Sequence, residues 1–117
     1  MSYIRELAKE LIEVDLPIAT SPVASYKSFQ ISAEGILFIS GQLPMKDGEL
    51  MLSGIIGEDL SIEEGQICAR QCAINILSQL DKYIDENGGR IVKILQLTGF
   101  VACNKTFTSH PQVINGA

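Results

Sequence analysis

The run from Ile36 to Pro44, which reads Ile-Leu-Phe-Ile-Ser-Gly-Gln-Leu-Pro, constrains the fold more than any other segment. Four consecutive apolar residues, Ile36 to Ile39, are typical of a strand that is buried on both faces of a sheet. Ser40 and Gly41 then interrupt the run, and Pro44 cannot donate to further strand pairing. We therefore predict a core strand that ends in a small polar site, built from a hydroxyl and free backbone N–H groups.

Composition narrows the class of protein. The 117 residues are 46% hydrophobic and carry a net charge of −5. This size and balance predict a single domain over residues 1–117. The acidic balance and the scattered basic residues argue against a nucleic-acid partner. No apolar run approaches the roughly 18–20 residues of a membrane span, and the N-terminus does not resemble a signal peptide, so we expect no membrane association and a cytoplasmic location.

Two helices are predicted from apolar residues that recur at helical spacing. The first runs from Ser2 to Val14, with Pro17 as its stop. The second, Ser61 to Glu86, begins with a Ser-x-x-Glu capping box and is followed by Asn87-Gly88-Gly89, which is typical of a left-handed helix end.

Strand patterns occupy most of the remaining chain. They comprise a hairpin of Val23–Ser32 with Ile36–Ser40, a strand at Leu50–Ile56, and a long strand at Arg90–Cys103, and a further helix begins at Thr108–Pro111. This order predicts an α+β fold in which helices pack on one face of a mixed sheet. The other face of such a sheet would be apolar and bare, so we expect an oligomer.

The cysteines and the histidine do not by themselves indicate a catalytic site. Cys68 and Cys72 stand one helical turn apart, but two thiols are too few for a structural zinc site, and we interpret them as small core residues. An odd number of cysteines without a secretory signal indicates reduced thiols. His110, the sole histidine, is expected to be a solvated surface group, and Cys103 an ordinary thiol. No metal site is predicted.

Several sequence motifs, and the order in which they occur along the chain, resemble those of the Rid/YjgF family. Its members are the reactive-intermediate deaminases, also known as endoribonuclease L-PSP. Gly35–Pro44 contains the family's Ser-Gly-Gln-x-Pro signature. Tyr26 stands ahead of the hairpin, Cys72–Leu77 is similar to the family's Asn-containing central helix, and Ile91–Lys93 opens the following strand. The resemblance covers about residues 22–117.

The resemblance implies a chorismate-mutase-like α+β fold, a homotrimer, and sites in clefts between neighbouring subunits. It implies hydrolysis of 2-imino acids to 2-keto acids and ammonia, without a metal or an organic cofactor. The ligand would be a small carboxylated metabolite. Carried over residue by residue, Tyr26 would line the pocket, Ser40 would supply its hydroxyl and Gly41 its backbone. A non-catalytic ligand-binding trimer is the alternative, and RNA cleavage is the least favoured function.

The sequence departs from the family pattern in one respect. The Pro-Ala-Arg motif, whose arginine would bind the substrate carboxylate, and the family's late glutamate do not occur in these 117 residues. The last strands of the fold are also expected to be missing. The sequence is either a fragment of a longer chain or a truncated product that has repacked. In both cases we expect little imine hydrolysis from it.

Overall fold

The computed structural model describes residues 2–22 and 25–117, which form three helices and four short strands. In chain order these are α1 (Tyr3–Ile12), β1 (Phe29–Ile31), β2 (Leu37–Ile39), β3 (Met45–Lys46), β4 (Glu49–Leu50), α2 (Ile62–Asn87) and α3 (His110–Ile114). The strands pair as two antiparallel two-stranded ribbons, β1 with β2 and β3 with β4. This mixture of helices and small sheets confirms the predicted α+β class.

The chain divides into two compact units. Unit 1 contains Met1–Gln42 and Ile74–Arg90, and unit 2 contains Leu43–Ala73 and Ile91–Ala117. Helix α2 contributes residues to both of them. That the chain forms one domain stays a prediction.

Helix α1 begins one residue after its predicted start at Ser2, which is its cap, and ends two residues early. The hydroxyl of Ser2 accepts a hydrogen bond from the amide of Ile4, which caps the first turn. Glu13 adopts a left-handed conformation with φ of 55° and ends the helix before Val14, so Pro17 is not its stop. A left-handed residue closes a helix by letting its amide reach back to a free carbonyl, here that of Ala8.

The predicted hairpin is present but shorter than expected. Phe29 pairs with Ile39 and Ile31 with Leu37. Val23 and Ala24, where the first strand was expected to begin, lie outside the described residues. The prediction that the second strand is buried on both faces is wrong, because Phe38 is 61% exposed. Alternate side chains of a strand point to opposite faces of its sheet. The face of the β1–β2 ribbon that bears Phe38 is therefore exposed.

A second, tighter hairpin joins β3 to β4. Met45 pairs with Leu50 and Lys46 with Glu49, which leaves a two-residue turn. Asp47 and Gly48 have φ of 54° and 84°, as a type I′ turn requires at both central positions. β4 ends at Leu50, so the strand expected at Leu50–Ile56 does not form.

Helix α2 confirms the capping-box prediction. The hydroxyl of Ser61 accepts from the amide of Glu64 at 3.1 Å, and the Glu64 carboxylate accepts from the amide of Ser61 at 3.0 Å. At the other end, Gly88 has φ of 76° and its amide donates to the carbonyl of Ile84. The helix therefore stops one residue beyond the predicted end.

The core of unit 1 forms between α1, the segment that follows it and the second half of α2. Its buried members are Ile4, Ala8, Leu16, Ile74 and Ile84, and the partly buried residues Tyr3, Val14, Leu77, Leu80 and Tyr83 pack against them. The ring of Phe29 meets that of Tyr83 edge-on, with 5.4 Å between centroids. This contact holds the β1–β2 ribbon against α2.

The long strand predicted at Arg90–Cys103 is absent. Of these residues only Cys103 pairs, through an isolated parallel bridge to Ile56. Among the described residues, 92–101 have no strand partner. Val92 is 97% exposed and Phe100 is 94% exposed. The apolar pattern of a core strand is present here, but strand formation also requires a neighbouring strand that satisfies the backbone.

Unit 2 is centred on Ile56 and Val113, which are both buried. The amide of Ile56 donates to the carbonyl of Ala102, and the amide of Asn104 donates to the carbonyl of Ile56. Helix α3 begins at His110 with Pro111 in its first turn, as predicted, although the side chain of Ser109 makes no capping hydrogen bond.

Candidate functional site

The polar residues singled out in the sequence lie at the open end of the β1–β2 ribbon. One step beyond the last strand pair, the amide of Ser40 donates to the carbonyl of Ser28 at 3.0 Å. The antiparallel register therefore continues past β2 as far as Ser28 and Ser40. Tyr26 precedes Ser28 by two residues and Gly41 follows Ser40, so both belong to the segments that leave this end of the ribbon.

Ser40 is bound within the chain through all of its polar groups. Its hydroxyl donates to the carbonyl of Lys27, and its own carbonyl accepts from the side-chain amide of Gln42 at 3.0 Å. The hydroxyl is thus committed as a donor and keeps only its acceptor lone pairs. Ser40 is best understood as the residue that fixes the geometry of this end of the ribbon.

Gly41 is the group that remains open to a ligand. It is exposed, and a Cβ placed on it would meet no atom within 4 Å. Within residues 2–22 and 25–117, its amide N–H has no hydrogen-bond acceptor. The side chain of Tyr26, two residues before Ser28 in the chain, is 44% exposed. An exposed backbone donor such as the Gly41 amide can bind a carboxylate or a carbonyl oxygen.

Within the ribbon itself, the one basic residue lies at this end. Between residues 25 and 42 the chain has one basic residue, Lys27, and one acidic residue, Glu34. Glu34 lies in the turn at the opposite end of the two strands. The ammonium of Lys27 donates to the side-chain oxygen of Gln30 at 3.2 Å and is otherwise exposed.

A second group of reactive side chains occurs in unit 2, and the sequence did not predict it. The sulfur of Cys103 lies 3.2 Å from Nε2 of His110. Cys103 is placed by its bridge to Ile56, and His110 is the first residue of α3. The imidazole also meets the ring of Phe107 edge-on, with 5.3 Å between centroids. His110 is exposed, as predicted, but it is paired with a thiol.

The surroundings of the other two thiols, Cys68 and Cys72, disfavour their ionisation. Burial raises the pKa of the Cys72 thiol, and the neighbouring Cys68 adds to that rise. Burial also raises the pKa of Cys68, with a further contribution from the charge of Glu64. Both effects disfavour the thiolate, which is the nucleophilic form of cysteine.

The part of the chain that the structure describes holds no set of three or more His, Cys, Asp or Glu side chains arranged to bind a metal ion. Near the start of α2, the carboxylate of Glu64 caps the helix, and that of Asp59 accepts from the amide of Ile55. None of the described helices could cross a membrane.

Comparison with known proteins gives a consistent family relationship. Residues 7–117 match the family described as YjgF/chorismate mutase-like, putative endoribonuclease. Protein TCP17 of Trypanosoma cruzi is 35% identical over 104 residues, which cover 89% of this chain and 64% of that protein. The chain therefore spans less than two thirds of the length of this curated relative.

Solved structures agree with this relationship. The crystal structure of Atu1372 from Agrobacterium tumefaciens, a protein of unknown function, superposes with a TM-score of 0.82 at 36% identity, over 97% of this chain and 67% of that one. A putative endoribonuclease from Shewanella oneidensis MR-1 superposes with a TM-score of 0.83 at 26% identity, over 96% of this chain and 73% of that one. The resemblance inferred from the Ser-Gly-Gln-x-Pro signature is thus confirmed, and the chain belongs to the YjgF/chorismate-mutase-like family.

Proposed function

We propose that this chain binds a small carboxylated metabolite of the 2-keto or 2-imino acid class at the open end of the β1–β2 ribbon. The observation that carries the proposal is the free, exposed amide N–H of Gly41. In this proposal that amide donates to a carboxylate oxygen, and Ser40 holds it in position.

The surrounding groups support an anionic ligand. A hydrogen bond from a neutral donor to a charged acceptor contributes about 1.5–3 kcal/mol when the pair is shielded from water. In this proposal the hydroxyl of Tyr26, a residue that is 44% exposed, is a second donor, and Lys27 brings a positive charge to the same end of the ribbon. The ligand is expected to be small, because only short backbone segments frame this surface.

Assembly is the second part of the proposal. We infer a homotrimer, in which a neighbouring copy covers the exposed ribbon end and completes the site. A particle of three times 12.7 kDa in light scattering is the expected result. We also place the protein in the cytoplasm, where its three free cysteines would stay reduced.

Hydrolysis of a bound 2-imino acid is the enzymatic form of the same proposal. Water would add to the C=N carbon, and ammonia would leave as the carbonyl forms. The ribbon end offers donors that could polarise such a substrate, but Tyr26, Ser40 and Gly41 include no general base of the usual His or carboxylate type. Ligand binding without turnover is therefore the form we favour for these 117 residues.

The test is isothermal titration calorimetry with 2-oxobutyrate and a pair of variants at one position. Gly41→Pro removes the N–H, whereas Gly41→Ala keeps it and adds a methyl group to open space. We expect Gly41→Pro to weaken binding about tenfold or more and Gly41→Ala to bind like the wild type. Equal affinities for the two variants, with intact circular dichroism, would show that this amide does not bind the ligand.

Two activity assays on the same samples distinguish the alternatives. Ammonia release from 2-iminobutyrate generated in situ, lost in Gly41→Pro, would establish the enzymatic form. Cleavage of a defined RNA by nuclease-free protein would support the endoribonuclease function instead, although the net charge of −5 opposes RNA binding.

A further inference from the structure

Cys103 and His110 form a nucleophile–base pair that the proposed function does not use. Both belong to unit 2, whereas Tyr26, Ser40 and Gly41 belong to unit 1. Their side chains approach to 3.2 Å between Sγ and Nε2, within hydrogen-bonding distance for sulfur. At this distance an adjacent imidazole can accept the proton of a thiol, which is the arrangement of a nucleophile with its general base.

Cys103 is held by backbone hydrogen bonds of its neighbours, and His110 is held by a ring contact. On either side of Cys103, the carbonyl of Ala102 and the amide of Asn104 bond to Ile56, which is itself buried. On the other side, the ring of Phe107 packs edge-on against the imidazole. A positioned base requires a third group that orients it, and the aromatic contact serves that purpose here.

The three cysteines of the chain differ in their surroundings. The thiols of Cys68 and Cys72 lie on α2, where burial disfavours their ionised form. Cys103 is half-buried beside an exposed imidazole. A small reagent can therefore reach the pair from the solvent. Cys68 and Cys72 provide internal controls for the reactivity of Cys103.

We propose that the Cys103–His110 pair is a covalent modification site for small soft electrophiles of the α,β-unsaturated carbonyl class. In the reaction, Nε2 of His110 takes the thiol proton and the sulfur lone pair forms a bond to the β-carbon. The π electrons of the C=C bond move to the α-carbon and carbonyl oxygen, and the resulting enolate takes a proton back from the imidazolium. The net change is addition, with no leaving group, oxidant or reductant.

This class of reagent suits the pair better than an acyl donor does. Acyl transfer passes through an oxyanion that requires directed donors of its own. Addition to a conjugated carbonyl requires one base that both accepts and returns a proton, and one imidazole suffices for that.

The experiment is a timed reaction of the intact 117-residue protein with substoichiometric N-ethylmaleimide at pH 7, followed by peptide mass spectrometry. We expect Cys103 to react about tenfold faster than Cys68 or Cys72. In His110→Asn, the rate at Cys103 should fall about tenfold, while the rates at the two reference thiols stay unchanged. Equal rates at all three cysteines of the wild type would overturn the proposal.

Measuring the rates at a higher pH distinguishes two explanations for fast reaction at Cys103: proton removal by His110, and greater exposure of the sulfur. At about pH 10 a free thiol is largely ionised without help. If His110 acts as the base, the wild type and His110→Asn should then react at the same rate at Cys103. A deficit of the variant that persists at high pH would mean that the substitution had only changed access to the sulfur, and the proposal would be wrong.

Discussion

The hydroxyl of Ser2 donates to Oδ1 of Asp81 across 2.7 Å, and this bond joins the start of α1 to the second half of α2. The amide of Ser2 donates to the same oxygen at 3.2 Å, and the guanidinium of Arg5 donates to Oδ2 at 3.1 Å. Burial alone would raise the pKa of the Asp81 carboxyl. The hydrogen bonds from Ser2 and Arg5 outweigh it and hold that pKa below its ordinary value.

Replacement of Asp81 should therefore destabilise unit 1. Asp81→Asn removes the charge and leaves Arg5 and the Ser2 groups with a weaker acceptor, so we expect a loss of about 2 kcal/mol at pH 7. Urea unfolding followed by circular dichroism measures it. Glu86→Gln, an exposed substitution on the same helix, is the control and should change the free energy of unfolding by less than about 0.5 kcal/mol.

Acid should remove the contribution of Asp81 to stability. Its pKa is lower in the folded than in the unfolded chain, so the unfolded state binds more protons as the pH falls below about 4. The contribution is complete above that range and is lost through the folded pKa. The gap in unfolding free energy between wild type and Asp81→Asn should therefore shrink from pH 7 to pH 3, and an unchanged gap would contradict this assignment.

The capping box of α2 predicts a smaller, local effect. Ser61→Ala removes the acceptor that satisfies the amide of Glu64, at a cost of about 1 kcal/mol. Thermal unfolding of this variant can be compared with that of Ser53→Ala, an exposed serine in the loop before the helix. If both variants melt at the same temperature, the hydroxyl of Ser61 contributes nothing to stability.

Gly65 tests the packing of unit 2. A Cβ added here would lie 2.9 Å from Ile56 Cδ1 and 3.1 Å from Val113 Cγ1, and both of these residues are buried. Alanine gains up to about 1 kcal/mol in helix propensity, but overpacking costs about 1–3 kcal/mol. We expect Gly65→Ala to be destabilising by about 1 kcal/mol. In a Val113→Ala background the penalty should become smaller, because only the contact with Ile56 Cδ1 remains, and a double-mutant cycle in urea would measure the difference.

The exposed apolar segment at residues 92–101 should promote self-association. Val92 and Phe100 are almost fully exposed, and an unpaired apolar segment can pair with a second chain. We expect the double variant Val92→Lys/Phe100→Lys to scatter less light as its concentration rises, with unfolding free energy within about 0.5 kcal/mol of the wild type. Equal scattering by both proteins would mean that association involves another surface.

Helices were predictable from sequence where the determining contacts are local. The capping box at Ser61 and the stop at Gly88 act within one turn, and the structure places α2 within one residue of its predicted bounds at each end. Strands depend on distant partners. The pattern at Arg90–Cys103 is that of a strand, yet no described segment forms strand pairing with residues 92–101.

Only the part of the candidate sites that depends on contacts close in sequence was predictable. Ser40 bonds to Ser28 and Lys27, which follow Tyr26, because the hairpin register continues past β2, and the hairpin could be inferred from its two strand patterns. The pairing of Cys103 with His110 could not be inferred, because it depends on a bridge between Cys103 and Ile56, which stand far apart in the sequence. A seven-residue spacing in an irregular loop gives no sign of proximity.

Neither unit of this protein is a continuous stretch of chain, and this affects the order in which it can fold. Unit 1 requires both Met1–Gln42 and Ile74–Arg90. Ser2, at the start of α1, therefore bonds to a residue that lies 79 positions later in the chain, Asp81. Closing such a long loop costs conformational entropy before any contact repays it, which slows folding. A cut between the two units would also have to pass through α2, so neither one can be produced as a single uninterrupted segment.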